Sequence, residues 1–408
     1  MIYFKKIITK NLFVLFCCVT LFISLTAFKL LKNNDTIQHI QTREVPLTGN
    51  TNQLKGFFKA LKNSKNQVVR IAHYGDSSLL GDVISEHLRD KLQQKYGGQG
   101  AGFISICASD ITMKESGIQE YSDDWQYTSL FLRNPENLAF GISGYVSKPS
   151  DGSWVRFQTR DFIHSLKTFQ KGFLFYSNAG KNTKIECEVD KRINSTFDLK
   201  QGKSVQSLEL FDRQSTSVEL TFKEVDNTNV YGVSFENGNG VYLDNFPITG
   251  NTGVNLLDIS DKMLKDFKKY LKYNLIILHY GMNLPTPNGG TLKIYTNKML
   301  SVIAKYKKIF PDAGIIMVGI SDRIIKKGNR VITSRETLPI IHAQENIAKT
   351  ANVAFWNLFE AMGGQDSMDK WVNSAPPLAL KDYRHFTHNG GDIVADLFLK
   401  AILGAAEK

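Results

Sequence analysis

Four short apolar runs, at 241–246, 275–279, 314–320 and 353–358, are separated by stretches with apolar residues three and four apart. The first such stretch carries Met263, Leu264, Phe267 and Leu271; the next two cover about 292–310 and 338–351. Strand, helix, strand in this order requires crossover connections, and these give a parallel, doubly wound sheet with helices against it. One further unit stands upstream. Val68, Val69, Ile71 and Ala72 form a strand-like run that ends in Gly75-Asp76-Ser77. A helical stripe of Val83, Ile84, Leu88 and Leu92 succeeds it and is predicted to run from the serine to about Tyr96, where Gly97, Gly98, Gly100 and Gly102 end it. A short helix at 53–61 and a last one at 391–403 complete the expected α/β portion.

Between the first unit and the rest, the period changes from helical to alternating. Ile185, Cys187 and Val189 share one face, as do Leu208 and Leu210, and Val218, Leu220 and Phe222. Ser150-Asp151-Gly152, Asn178-Ala179-Gly180 and Gln201-Gly202 supply the turns. Short strands at this spacing predict an all-β sandwich, inserted at 110–226 into an α/β domain made of 53–109 and 227–408. The apolar run 230–235 is read as the return to the α/β part. Trp125, Tyr127, Trp154 and Phe157 of the insert are candidate sugar platforms, but each taken singly is read as core.

The N-terminus is of another kind. Lys5, Lys6 and Lys10 precede an apolar run over 12–31 that only Lys29 interrupts. Such a run matches the roughly 30 Å of a bilayer core. Leu25-Thr26-Ala27 offers a small residue at only one of the two positions a signal peptidase reads, so 1–31 is expected to be an uncleaved signal anchor with the remainder exported. Residues 32–52 are polar and without period, and are expected to form a stalk.

Charge excludes little. The net +11 is spread over lysine-bearing helical faces such as 262–272, with no basic cluster interleaved with aromatics, which argues against a nucleic-acid partner. It is compatible with an anionic polymer or a bilayer surface. Of four cysteines, Cys17 and Cys18 fall in the apolar N-terminus. Cys107 and Cys187 have no metal-ligand spacing, and no metal site is expected; buried or free thiols are favoured over a pair.

Four strand-end positions can share one crevice, because open α/β sheets gather functional groups beyond the carboxyl ends of their strands. These are Ser77, Gly250, Asn283 and the pair Asp382/His385. Chemically they make a complete acyl-transfer set. Ser77 is the candidate nucleophile, His385 its base, and Asp382, three residues earlier, the carboxylate that orients the imidazole. The backbone N–H groups of Ser77 and Gly250 and the Asn283 amide are candidate oxyanion donors. Gly253 is an alternative to Gly250, Asp382 an alternative helix cap, and His388 lacks the Asp-x-x-His spacing. His73, Ser78 and His279 are read as structural.

Gly-Asp-Ser near the N-terminus, a Gly after a strand, Gly281-x-Asn283 and Asp382-x-x-His385 together resemble the SGNH/GDSL hydrolase family. The stretch from His73 through Leu79-Leu80-Gly81-Asp82 to Phe103, and the Trp356–Gly364 region with Trp371, are similar to peptidoglycan O-acetylesterases. Ser78, Pro247 and Leu284 depart from the pattern of those relatives without touching a proposed triad or oxyanion member. The resemblance implies a three-layer αβα fold, a Ser-His-Asp triad, no cofactor, and an insert like a carbohydrate-binding module. It further implies an esterase that removes O-acetyl groups from a cell-envelope polysaccharide, peptidoglycan above all, with an acetylated glycan as partner and a membrane reached through the anchor. Two alternatives stand beside it: an O-acetyltransferase using the same triad, and a glycan-binding envelope protein without catalysis.

Overall fold

In the computed structural model, residues 40–108, 114–160, 163, 166–284, 289–328 and 330–406 are described. The expected anchor at 1–31 lies outside them, and the elements below all belong to the unit that begins at Gln41.

Val68–Gly75 is an inner strand of a six-stranded sheet whose order is Thr48–Gly49, Ala354–Trp356, Gly314–Val318, Tyr273–His279, Val68–Gly75, Gly240–Pro247. All neighbours pair in parallel except the two-residue edge strand Thr48–Gly49, which is antiparallel. The chain is therefore a mixed α/β protein with a parallel sheet, as its alternating pattern led us to expect. Helices cover both faces. On one, Ala72, Tyr74, Ile276, Leu278 and Met317 pack with Phe267, Met299, Tyr306 and Ile340 from the helices Asp261–Lys268, Gly289–Ile309 and Thr337–Thr350.

The helix Ser85–Tyr96 lies on the other side and does more than bury leucines. Its residues Arg89 and Gln93, one turn apart, donate to the carbonyls of Leu243 and Val241 at 2.8 and 2.9 Å. These carbonyls lie on the edge strand Gly240–Pro247, so the helix closes a sheet edge that would otherwise offer unpaired acceptors. His87 ties the same helix to the C-terminal helix His388–Gly404 through Asp392 and Asp396 at 3.3 and 3.0 Å.

Two antiparallel sheets form the β-rich part. One has the order Ile193–Asp198, Lys184–Val189, Ser217–Lys223, Trp154–Thr159, Gly117–Tyr121. The other has Gln206–Ser215, Phe169–Ser177, Asn229–Glu236, Tyr145–Lys148, Gln126–Ser129, with Gly102–Ile104 paired to Asn229–Glu236. Val155, Ile185, Cys187, Leu220 and Phe222 of the first meet Leu174, Val230, Val233 and Phe235 of the second in one core. Cys107 and Cys187 are free and buried there, and burial pushes both thiols up to about 12.

Asn229–Glu236, read in sequence as α/β, pairs antiparallel with Phe169–Ser177 in this second sheet. The physical reason is burial on both faces. Val230 and Val233 face the sandwich core, whereas Tyr231 packs with Phe267 of the α/β helices, leaving no polar face and hence no alternation. The residues read as stalk also differ from expectation at their end. Arg43 pairs with Glu360 at 2.9 Å, and Trp356 Nε1 donates to the Val45 carbonyl at 3.1 Å, so the chain is docked before the first helix begins.

A buried ionic cluster lies where the two parts meet. Arg70 bonds Glu236 and, at 3.1 Å, Asp244; Asp244 also accepts from the Tyr273 hydroxyl at 2.8 Å and the Phe103 N–H at 2.8 Å. It joins the parallel sheet to the sandwich sheet. A buried guanidinium is tolerable only because both carboxylates are fixed beside it.

Candidate active site

Sheet register brings the site together. Gly75 is level with Pro247 on one side and His279 on the other. Just past these residues, the Ile248 N–H donates to the Gly75 carbonyl at 3.0 Å and the Asp76 N–H to the His279 carbonyl at 3.4 Å. Ser77, Gly250 and Asn283 therefore leave the same carboxyl edge of three adjacent strands. Gly75 is required by packing, since a Cβ there would run into the Leu79 side chain and come within 3.0 Å of the His279 carbonyl.

Ser77 opens a 3-10 segment, Ser77–Asp82, rather than the continuous α-helix expected; the α-helix proper starts at Ser85. Leu80 and Gly81 leave helical geometry, with Gly81 at φ +67°. Asp76 caps the turn, its Oδ1 accepting from the Ser78 N–H at 2.9 Å and the Ser78 hydroxyl at 2.7 Å. Burial raises the Asp76 carboxyl above its ordinary value, against these hydrogen bonds. Ser78 is thus structural, as read from sequence.

His385 reaches Ser77 from the turn before the last helix. Its Nε2 lies 2.8 Å from Ser77 Oγ and its Nδ1 2.6 Å from Asp382 Oδ2. The tautomer that satisfies both contacts has Nδ1–H donating to Asp382 and Nε2 accepting from the serine. Asp382 Oδ1 also accepts the backbone N–H groups of Arg384 and His385 at 3.0 and 3.1 Å. Partial burial works against ionisation of Asp382, but the hydrogen bonds from His385 and the backbone outweigh it and hold the carboxyl below its usual range. Asp382 does not cap the final helix: Thr387 does, accepting from the Gly390 N–H at 3.2 Å. His388 turns elsewhere, its Nδ1 lying 3.6 Å from Glu115.

The three oxyanion candidates divide. Ser77 is the first residue of the 3-10 turn. Gly250 has φ +78°, a conformation that disfavours a side chain, and a Cβ there would lie 2.5 Å from Cζ of Phe131. The Asn283 amide is directed to the Asn251 carbonyl at 3.3 Å, a long bond that leaves its donors available to a stronger acceptor. Gly253 also has a positive φ but is packed under Tyr280 and Met299. Of the two glycines, Gly250 is the nearer in sequence to the end of the strand Gly240–Pro247. His73 and His279 are buried with their rings stacked 5.7 Å apart, and burial holds both imidazoles neutral, His279 at about 4. His73 Nδ1 lies 2.8 Å from the Ser85 hydroxyl, a structural tie to the helix.

Two contributors to this region were not singled out in sequence. Asn251 anchors the Asn283 amide, and its own Oδ1 accepts the Gly253 N–H at 2.7 Å. Phe131 arrives from the β-rich part and stands over Gly250. Of the four aromatics considered as platforms, Trp125 and Phe157 are buried core; Trp154 is half-buried beneath Arg156, and Tyr127 is exposed.

A hydroxyl, an imidazole and a carboxylate thus stand in hydrogen-bonded series at the carboxyl edge of a parallel sheet, an arrangement that can draw a proton from the serine hydroxyl to the imidazole. No family model matches the chain, and no curated protein matches it in sequence. A solved peptidoglycan O-acetylesterase does match in structure, with a TM-score of 0.72 over 89% of this chain and 99% of its own, at 19% identity. The likeness is one of fold, extending over most of this chain and nearly all of the other. An acetyl xylan esterase (17% identity, 39% of this chain and 79% of its own, TM-score 0.30) and a family two carbohydrate esterase from Cellvibrio japonicus (10% identity, 59% and 88%, TM-score 0.22) overlap it only loosely.

Proposed function

We propose that this protein is a carbohydrate O-acetylesterase acting on a cell-envelope polysaccharide, peptidoglycan foremost. The reading is carried by the unbroken Ser77–His385–Asp382 hydrogen-bond series on a fold shared with a peptidoglycan O-acetylesterase. In the proposed cycle, Ser77 Oγ attacks the acetyl carbonyl as its proton passes to His385 Nε2, and Asp382 stabilises the imidazolium. The carbonyl oxygen becomes an oxyanion facing the Ser77 and Gly250 N–H groups and the Asn283 amide. Collapse breaks the ester C–O bond, and His385 returns the proton to the departing sugar oxygen. Water, deprotonated by the same imidazole, then attacks the acetyl-serine and releases acetate.

Each of these steps uses the chain's own groups and water. The apolar N-terminal run supports a membrane-anchored, extracytoplasmic location for the catalytic part. Ser77→Ala is expected to lower acetate release from O-acetylated murein, and from p-nitrophenyl acetate, by at least about 10³-fold while circular dichroism stays unchanged. Turnover retained in that variant would refute the mechanism. Equal acetate release from O-acetylated and chemically de-acetylated murein would refute the substrate.

A further inference from the structure

We propose that Phe131, with Leu132 beside it, is a sugar-binding platform that the β-rich part contributes to the acyl-transfer site. Phe131 is 58% exposed and Leu132 51%, two adjacent large apolar side chains at the tip of one turn. The turn is not loose. Leu132 N–H donates to the Ser129 carbonyl at 3.0 Å and Leu130 N–H to the Gly144 carbonyl at 3.0 Å. Leu130 itself is buried in the core that contains Ile142 and Ile248. Ile248 lies two residues before Gly250, so one rigid connection places the turn over the oxyanion glycine.

The ring meets Gly250 with its far edge. The atoms nearest to a Cβ built on Gly250 are Cζ, Cε1 and Cε2 of Phe131, at 2.5, 2.7 and 2.9 Å. With the tip of its ring at Gly250 and the residue 58% exposed, Phe131 leaves apolar surface open to solvent there. Water is a poor neighbour for that surface, and the C–H face of a pyranose is a good one, as the apolar side of a sugar covers it while the hydroxyls stay wet. A glycan chain lying across Phe131 would bring an acetylated hydroxyl toward Ser77.

The proposal rests on the esterase reading above, so its test separates the two. Wild-type protein, Phe131→Ala and Phe131→Trp are assayed for acetate release from soluble O-acetylated murein strands and from ethyl acetate, which has no sugar. Phe131→Ala is expected to lower the ratio of kcat/KM on glycan to kcat/KM on ethyl acetate about tenfold, through KM, with Phe131→Trp restoring it. A parallel loss on both esters, leaving the ratio unchanged, overturns the platform and makes Phe131 a support for Gly250. A rise in ethyl butyrate over ethyl acetate turnover in Phe131→Ala overturns it in favour of an acyl-pocket wall. A wild type inert toward both esters fails the esterase reading and the platform with it.

Discussion

Asp382 uses both of its oxygens within a single turn: one takes two backbone N–H groups, the other holds the His385 ring. Asparagine can keep the first set but removes the charge from the second and admits the wrong imidazole tautomer. Asp382→Asn is therefore expected to lower kcat by about 10²–10⁴-fold with KM little changed, read in steady-state ester hydrolysis. Because the Asp382 side chain is 47% exposed, water compensates in part, and the effect belongs toward the lower end of that range. Asn283→Ala is expected to cost about 10²–10³-fold in kcat, again without a matching change in KM. At this scale the sequence pointed to residues that the fold brings together: the Asp-x-x-His spacing singled out Asp382 and His385, the glycine turn singled out Ser77, and the three stand in hydrogen-bonded series. Phe131 carried no such signal, since nothing local distinguishes a ring that reaches Gly250 from one that enters a core.

The helix Ser85–Tyr96 shows where an element's pattern misleads. Leu88 and Leu92 mark its apolar stripe, but Ser85, Glu86, Arg89 and Gln93 are buried too, the polar ones by bonding strand edges and neighbouring side chains. Glu86 is the ionisable one among them whose Oε2, like Gln93 Oε1, meets no donor among the described residues. Burial raises its carboxyl to about 9, with Asp82, Glu115 and Asp392 reinforcing the shift and Arg89 opposing it. The unfolded chain releases this proton near 4.5, so between 4.5 and about 9 the folded state holds an extra proton. Stability from this group is accordingly complete below that window and declines as pH rises through it. Glu86→Gln is expected to match wild type in thermal midpoint near pH 4 and to exceed it by a growing margin up to pH 9. A constant difference across the range would mean that Glu86 is ionised in the fold. The same logic of two-sided burial explains Asn229–Glu236, where a strand without a polar face does not reveal which sheet it joins.

At the scale of the whole molecule, the β-rich part is not appended to the α/β part but shares a sheet with its core. Phe103, Tyr145, Phe175 and Tyr231 come from that sheet and pack with Phe246, Phe267 and Leu264 in the same cluster that covers the parallel strands. Phe267 alone meets the rings of Phe103, Phe175 and Tyr231 at 6.1, 5.8 and 5.5 Å. The Arg70, Glu236 and Asp244 cluster crosses the same boundary, and opening it would part Glu236 from the guanidinium that Asp244 still holds. Separation would thus expose aromatic surface and break a buried ion triad together. Scanning calorimetry of the protein is expected to give one unfolding transition, with van't Hoff and calorimetric enthalpies equal, if heating is reversible. Asp244→Ala is expected to lower that single midpoint, by about 3–5 kcal/mol of stability, without splitting it. Two resolved transitions in the wild type would mean that the sandwich holds together by itself. In that case the rigid placement of Phe131 over Gly250 would depend on a movable interface rather than on a common core.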